Sequence, residues 1–164
     1  LNKLLPLAAM LTAIAAAPAA AENWHELAVT GDAIGYGDAD SLSTTGDEVS
    51  ARVMLGLRQA VGKDADIEFL VSSVRFSCGT GRYFVDAVNG LDGDRATVAA
   101  LPGSREWKPV AEGTLYASFH DFACGTAAAN PVTDPYRASA EFWHPDAELL
   151  EAGTIELAGR FYAG

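Results

Sequence analysis

Three histidines, two cysteines and a scatter of carboxylates are the side chains of this sequence with chemistry to offer, and their spacing limits what that chemistry is. His25, His120 and His144 stand far apart, with no H-x-x-x-H or H-E-x-x-H among them. A metal or haem site on these residues therefore has to be assembled by the fold rather than by one helix. Asp38-x-Asp40-x-Leu42 begins like a calcium loop, but Leu42 stands where the next oxygen ligand belongs and no glycine follows it. There is no G-x-S-x-G, and the glycines at 31, 35 and 37 lack the apolar helix that follows a phosphate loop. Glu68, Asp86 and Glu112 would need the fold to pair them before they could do acid–base work. No catalytic constellation is visible, and neither an enzyme nor a cofactor is expected.

The start of the chain sets the compartment. Leu1 to Ala21 has one lysine, an apolar run from Leu4 to Ile14 and a small-residue end at Ala19-Ala20-Ala21, the pattern of a secretory signal cleaved before Glu22. The apolar core is shorter than the ~20 residues of a spanning helix, so no membrane insertion is expected after cleavage. Periplasm, cell surface or medium is the expected location. Cys78 and Cys124 are then an even pair in an oxidising compartment, without C-x-x-C spacing, and are expected to be bonded. Closing a loop of 46 positions, 124 minus 78, contributes about 4 kcal/mol in the chain-entropy picture. A net charge of −11 argues against nucleic acid and anionic membranes as partners.

The elements that would position these groups read as an antiparallel sheet. Trp24 to Thr30 is a first strand. Gly31 to Glu48 is rich in Gly, Asp, Ser and Thr and reads as loop, with a short strand at Ile34 to Tyr36. Val49 to Val61 alternates cleanly and predicts a long strand with one wet face. Gly62 to Asp66 then turns the chain into Asp66 to Asn89, a hairpin whose turn is placed at Thr80-Gly81. That register sets Cys78 opposite Tyr83, Phe76 opposite Val85 and Val74 opposite Ala87, with Arg75 facing Asp86 on the outer side. Ile67, Phe69 and Val71 alternate out of phase with Val74 and Phe76, which predicts a β-bulge at Ser72-Ser73 if both sets face inward. Asp92-Gly93 predicts a second hairpin with Ala87 opposite Val98 and Val85 opposite Ala100, small residues that leave room for a helix above. Glu112 to Cys124 supplies it: Leu115, Phe119 and Phe122 share a stripe and Gly125 ends it. A Cys78–Cys124 bond would staple that helix to the sheet.

Trp24 near the expected mature start, the polar Asp38 to Ser43 segment before a long strand, the hairpin carrying Cys78, then Trp107-x-Pro109, a short helix and Cys124 come in an order that resembles the surface-adhesin protein E family. The resemblance covers about Trp24 to Cys124. It implies an exported α+β domain over residues 22–125 that works by protein–protein or ligand binding. This chain departs from the family in lacking a lipid-attachment cysteine and in continuing past Cys124. In that extension, residues 126–164, Pro131 and Pro135 are expected to keep the chain extended, Pro145 to Ala152 to form a short helix and Thr154 to Tyr162 a last strand, the whole docking on the domain. The expected protein is an exported binding protein with a protein partner; a periplasmic haem- or metal-binding protein using its histidines is the alternative.

Overall fold

Side chains alternate in burial along strand after strand, and a sheet with a core on both faces is the result. The computed structural model describes residues 22–64, 66–127 and 130–145. In chain order the elements are β1 (Trp24–Val29), β2 (Ala33–Thr45), β3 (Glu48–Val61), β4 (Ile67–Ser77), β5 (Arg82–Leu91), β6 (Thr97–Pro102), β7 (Lys108–Pro109), α1 (Leu115–Ala123), β8 (Asn130–Val132) and α2 (Pro135–Trp143). One antiparallel sheet runs β6-β5-β4-β3-β2-β1-β8, with β7 pairing β5 beyond the end of β6. The expected signal at Leu1–Ala21, the helix at Pro145–Ala152 beyond its first residue and the strand at Thr154–Tyr162 lie outside the described residues.

β2 decides where the helices sit. Gly35 and Gly37 point to one face, and a Cβ on either would meet the rings of Phe119 and Phe122 at 2.8 and 2.5 Å, so α1 rests directly on the β2 backbone. Ile34 and Tyr36 point to the other face, where they join Trp24, Met54, Phe69 and Val71 under Tyr136 and Trp143. The α1 face buries Val49, Ala51, Val53, Val74 and Phe76 against Phe119 and Ala123. Thr114 caps α1 by accepting from the Ala117 amide, and Gly125, at φ 73°, ends it. Cys124 follows at the C-cap and is bonded to Cys78, just past β4, with the Cα atoms 5.7 Å apart. The disulfide, the meander and the packed helix are those expected from the sequence.

Six expectations are corrected. Residues 33–45 are a strand, not a loop: the glycines that weaken β2 on its own are what α1 needs beneath it, so tertiary packing overrides propensity. The β4–β5 hairpin pairs Phe76 with Tyr83 and Val74 with Val85, two positions from the expected register. An even slip keeps Tyr83 and Val85 on the expected face with Phe76 and Val74, while Ala87, now opposite Ser73, turns to the other face; Arg75 still reaches Asp86 at 3.6 Å. The slip arises because Cys78 to Gly81 form a longer turn held by Asp47, whose carboxylate accepts from the Gly79 amide and the Ser77 hydroxyl. No bulge forms on β4 at Ser72-Ser73: β4 pairs β3 without a shift there, and the out-of-phase sets simply cover opposite faces. The bulge lies on β5, at Asp86, between the pairs Ser73–Ala87 and Val74–Val85.

The β5–β6 hairpin pairs Ala87 with Pro102 and Asn89 with Ala100, because its turn spans Asp92 to Ala96 rather than two residues, and α1 packs over β1 to β3 rather than over Ala87 and Ala100. Pro135 does not extend the chain but opens α2. Asp134 caps that helix by accepting from the amides of Tyr136 and Arg137, and proline at the first helical position lacks the amide that needs no partner there.

Candidate functional site

Three segments distant in sequence meet on the α2 face. Glu22 and Trp24 come from the start of β1, Thr133 to Tyr136 from the β8–α2 junction and Arg95 from the β5–β6 turn; together they line a cleft of about 300 Å³. β5 and β8 lie five strand positions apart, which in a flat sheet is roughly 24 Å at ~4.8 Å per strand. Yet Arg95 Nη2 donates to Asp134 Oδ2 at 2.6 Å, so the sheet curls around α2 and this ion pair closes the curl.

The cleft is built from two repeats of one arrangement, a guanidinium stacked on an aromatic ring and paired with a carboxylate. Arg52 lies 5.2 Å from the Trp24 ring centre and pairs with Glu22, which also accepts from Trp24 Nε1 at 2.8 Å. Arg95 lies 4.7 Å from the Tyr136 ring centre and pairs with Asp134. Burial alone would raise the Glu22 carboxyl, but the Trp24 hydrogen bond and the Arg52 charge outweigh it and leave the pKa lowered. Asp134 behaves the same way: burial opposes its charge, and the α2 amides together with Arg95 hold its pKa down. Tyr136 is raised, chiefly by burial. Both carboxylates are thus kept charged beside aromatic rings, an arrangement suited to holding cations.

A second surface lies at the sheet edge. β6 reads Thr97-Val98-Ala99-Ala100-Leu101-Pro102, without a charge, and among the described residues no strand pairs its outer side. Leu101 is 60 % exposed and Val98 42 %. Leu101 pairs with Val88, and Ala99 with Gly90, extending rows of half-buried apolar side chains, Val88 and Leu70, beyond Leu55, which packs on the α1 core.

The histidines are not brought together. His25 on β1 packs 6.0 Å from the Phe122 ring, His120 on α1 stands 6.0 Å from Phe76, and His144 follows α2 on the other face, near Glu68. His25 Nδ1 and His120 Nε2 are buried without a hydrogen-bond partner among the described residues, and there no three His, Cys, Asp or Glu side chains converge as a metal site would require. Asp38 is buried but serves the bulge of β2, accepting from the amides of Asn23 and Asp40. Glu68, Asp86 and Glu112 lie on β4, at the β5 bulge beside Arg75 and Arg105, and before α1 respectively. Sequence reasoning passed over Trp24, Arg95, Asp134 and Tyr136 as a group. The Asp134-Pro135 pair was the available signal, as a helix cap followed by a first-turn proline. Comparisons of the chain with protein families, with curated proteins and with solved structures find no match.

Proposed function

We propose that the protein is an exported, non-catalytic binding module, of the kind the surface-adhesin E resemblance suggests, and that it holds a protein partner by strand addition along β6. The observation that carries this reading is the chemistry of that edge. Among the described residues its outer main chain has no strand partner, its side chains are uncharged, and Leu101 stands 60 % exposed beside the apolar rows of the sheet. Main-chain hydrogen bonds supply affinity in such a mode, and alternate side chains supply selectivity. Asp92, Asp94 and Glu106 flank the edge, the flanking Arg95 and Arg105 are drawn to Asp134 and Asp86, and the whole chain carries −11, so the fitting partner is an extended apolar segment bordered by basic residues. The disulfide accords with a location outside the cytoplasm.

The test is selection of displayed random peptides on the purified protein, with Leu101→Lys and Val98→Lys as controls. Both side chains are exposed, so each change alters stability by no more than about 0.5 kcal/mol. A lysine there guards the edge against pairing. Enrichment of extended apolar sequences whose binding weakens at least tenfold on the lysine variants is the expected result. Peptides indifferent to both substitutions, or no enrichment at all, would remove β6 as the binding surface.

A further inference from the structure

Arg95 is an unusual residue for its place. Its φ of 67° lies in the left-handed region that glycine adopts freely and that costs an ordinary side chain roughly tenfold in population. The turn fixes its backbone, the Arg95 amide donating to the Asp92 carbonyl at 3.0 Å and the Ala96 amide to the Asp92 carboxylate at 2.8 Å, while its side chain is held by the Asp134 carboxylate at 2.6 Å and the Tyr136 ring at 4.7 Å. Those partners recognise a guanidinium group as such, through charge-assisted hydrogen bonding and ring attraction, whichever chain carries it. They are firmly placed, since Asp134 is tied to two amides of α2 and Tyr136 packs edge-on to Phe69 at 5.0 Å. Beside the occupied position the cleft stays open, with about 300 Å³ and the Glu22 carboxylate at its wall. A guanidinium taking the place of Arg95 would meet the Asp134 carboxylate and the Tyr136 face, with the Glu22 carboxylate, which Arg52 already pairs, at the cleft wall.

We propose that this cleft is a binding site for a guanidinium or ammonium group, and that Arg95 is its built-in occupant, displaced when an external cation takes its place. The chain's charge of −11 favours approach of such a ligand from any direction. The same chemistry serves a small organic cation and a basic side chain of a polypeptide. An occupant that covers the site nine-tenths of the time weakens apparent affinity about tenfold, so vacating the site should restore that factor.

The probes are N-acetylarginine amide and the capped peptide Gly-Arg-Gly, with the uncharged isostere N-acetylcitrulline amide as control, titrated by NMR into the purified full chain. Arg95→Ala should bind the arginine probes about tenfold more tightly than wild type and ignore citrulline. Adding Glu22→Gln to that background should undo the gain. Arg95→Gly, which also removes the backbone strain, guards against a folding defect in the alanine variant, and near-UV circular dichroism reports the fold of each. A peptide that outbinds the amide assigns the site to a polypeptide side chain; equal affinity assigns it to a small cation. No gain from either Arg95 variant while the fold is intact, or equal binding of citrulline, would show that Arg95 and Asp134 are a latch and nothing more.

Discussion

A methyl group at position 56 is the smallest change that tests how α2 is seated. A Cβ on Gly56 would lie 2.0 Å from Ser139 Oγ and 2.6 Å from Ser139 Cβ, where van der Waals contact needs ~3.5 Å. α2 must therefore retreat by more than about 1 Å. Retreat breaks two contacts. Ser139 Oγ lies 3.1 Å from Tyr36 Oη and 2.9 Å from the Pro135 carbonyl, and Tyr36 is fully buried, so its hydroxyl has no water to turn to. Trp143 Nε1 donates to the Gly56 carbonyl itself at 3.2 Å. Overpacking costs roughly 1–3 kcal/mol and a stranded buried hydroxyl about 1 kcal/mol more, while alanine in place of glycine in a strand returns roughly 0.5–1 kcal/mol. Gly56→Ala should thus lose about 2–3 kcal/mol, a fall of roughly 4–12 °C in Tm for a chain of this length. Urea denaturation followed by fluorescence reads it well, because Trp24 and Trp143 both lie on the α2 face. Ser139→Gly removes both clashing atoms and should rescue Gly56→Ala, with a favourable coupling of at least about 1.5 kcal/mol. Ser139→Ala keeps the Cβ and should rescue less. A Gly56→Ala protein within about 0.5 kcal/mol of wild type, or equal rescue by alanine and glycine, would refute the direct seating of α2 on β3.

The disulfide and the acid limb give two further tests. Replacing Cys78 and Cys124 with serine should cost about 4 kcal/mol for a sequence separation of 46, read as a lower urea midpoint that reductant no longer shifts; an unchanged midpoint would mean the open chain is already restrained. Glu22 and Asp134 have folded pKa values below their unfolded ones, so the unfolded chain takes up protons first as the pH falls. Their contribution is complete above the unfolded values and lost as pH falls through the folded ones, a window opening below about pH 4.5. Urea midpoints from pH 6 to pH 3 should decline less steeply for the Glu22→Gln, Asp134→Asn double variant, and identical slopes would count against these ion pairs.

What was legible in the sequence was whatever depends on period and parity. Val49, Ala51 and Val53 alternate because they face α1, although Met54 and Gly56 on the side of β3 expected to be wet are buried under α2, and the stripe of Leu115, Phe119 and Phe122 is that of a helix with one buried side. The two-residue error in the β4–β5 register left Tyr83 and Val85 on their expected face, and only beyond the β5 bulge did Ala87 change sides, which is why the core reading survived it. What was not legible depends on partners remote in sequence. Glycine and aspartate in β2 carry a loop signature, and only a helix arriving some eighty residues later turns Gly35 and Gly37 into a seat. The phase change at Ser72-Ser73 had two explanations, a bulge or a second core. Recognising Asp134-Pro135 as a helix start would have favoured the second, since another helix needs another face to cover. The cleft was out of reach altogether, because Arg95 in a left-handed turn has no signature of its own.

The two edges of the sheet bear on how β6 should be read. β8 is guarded in ordinary ways: it is three residues long, it contains Pro131, which has no amide to donate, and the chain leaves it at once into α2. β6 is twice that length, and neither a charge nor an internal proline interrupts it before Pro102. Positive φ angles at Arg95 and Arg105 bracket a short apolar segment whose one irregularity is a bulge at Val98, near its start, leaving Ala99 to Pro102 in regular register with β5. A sheet that protects one edge and leaves the other suited to pairing has an asymmetry that folding stability does not require. One lysine at position 98 or 101 would guard β6 at almost no energetic cost. Its absence from the more exposed edge of a strongly acidic chain favours a pairing role for β6 over an incidental end of the meander.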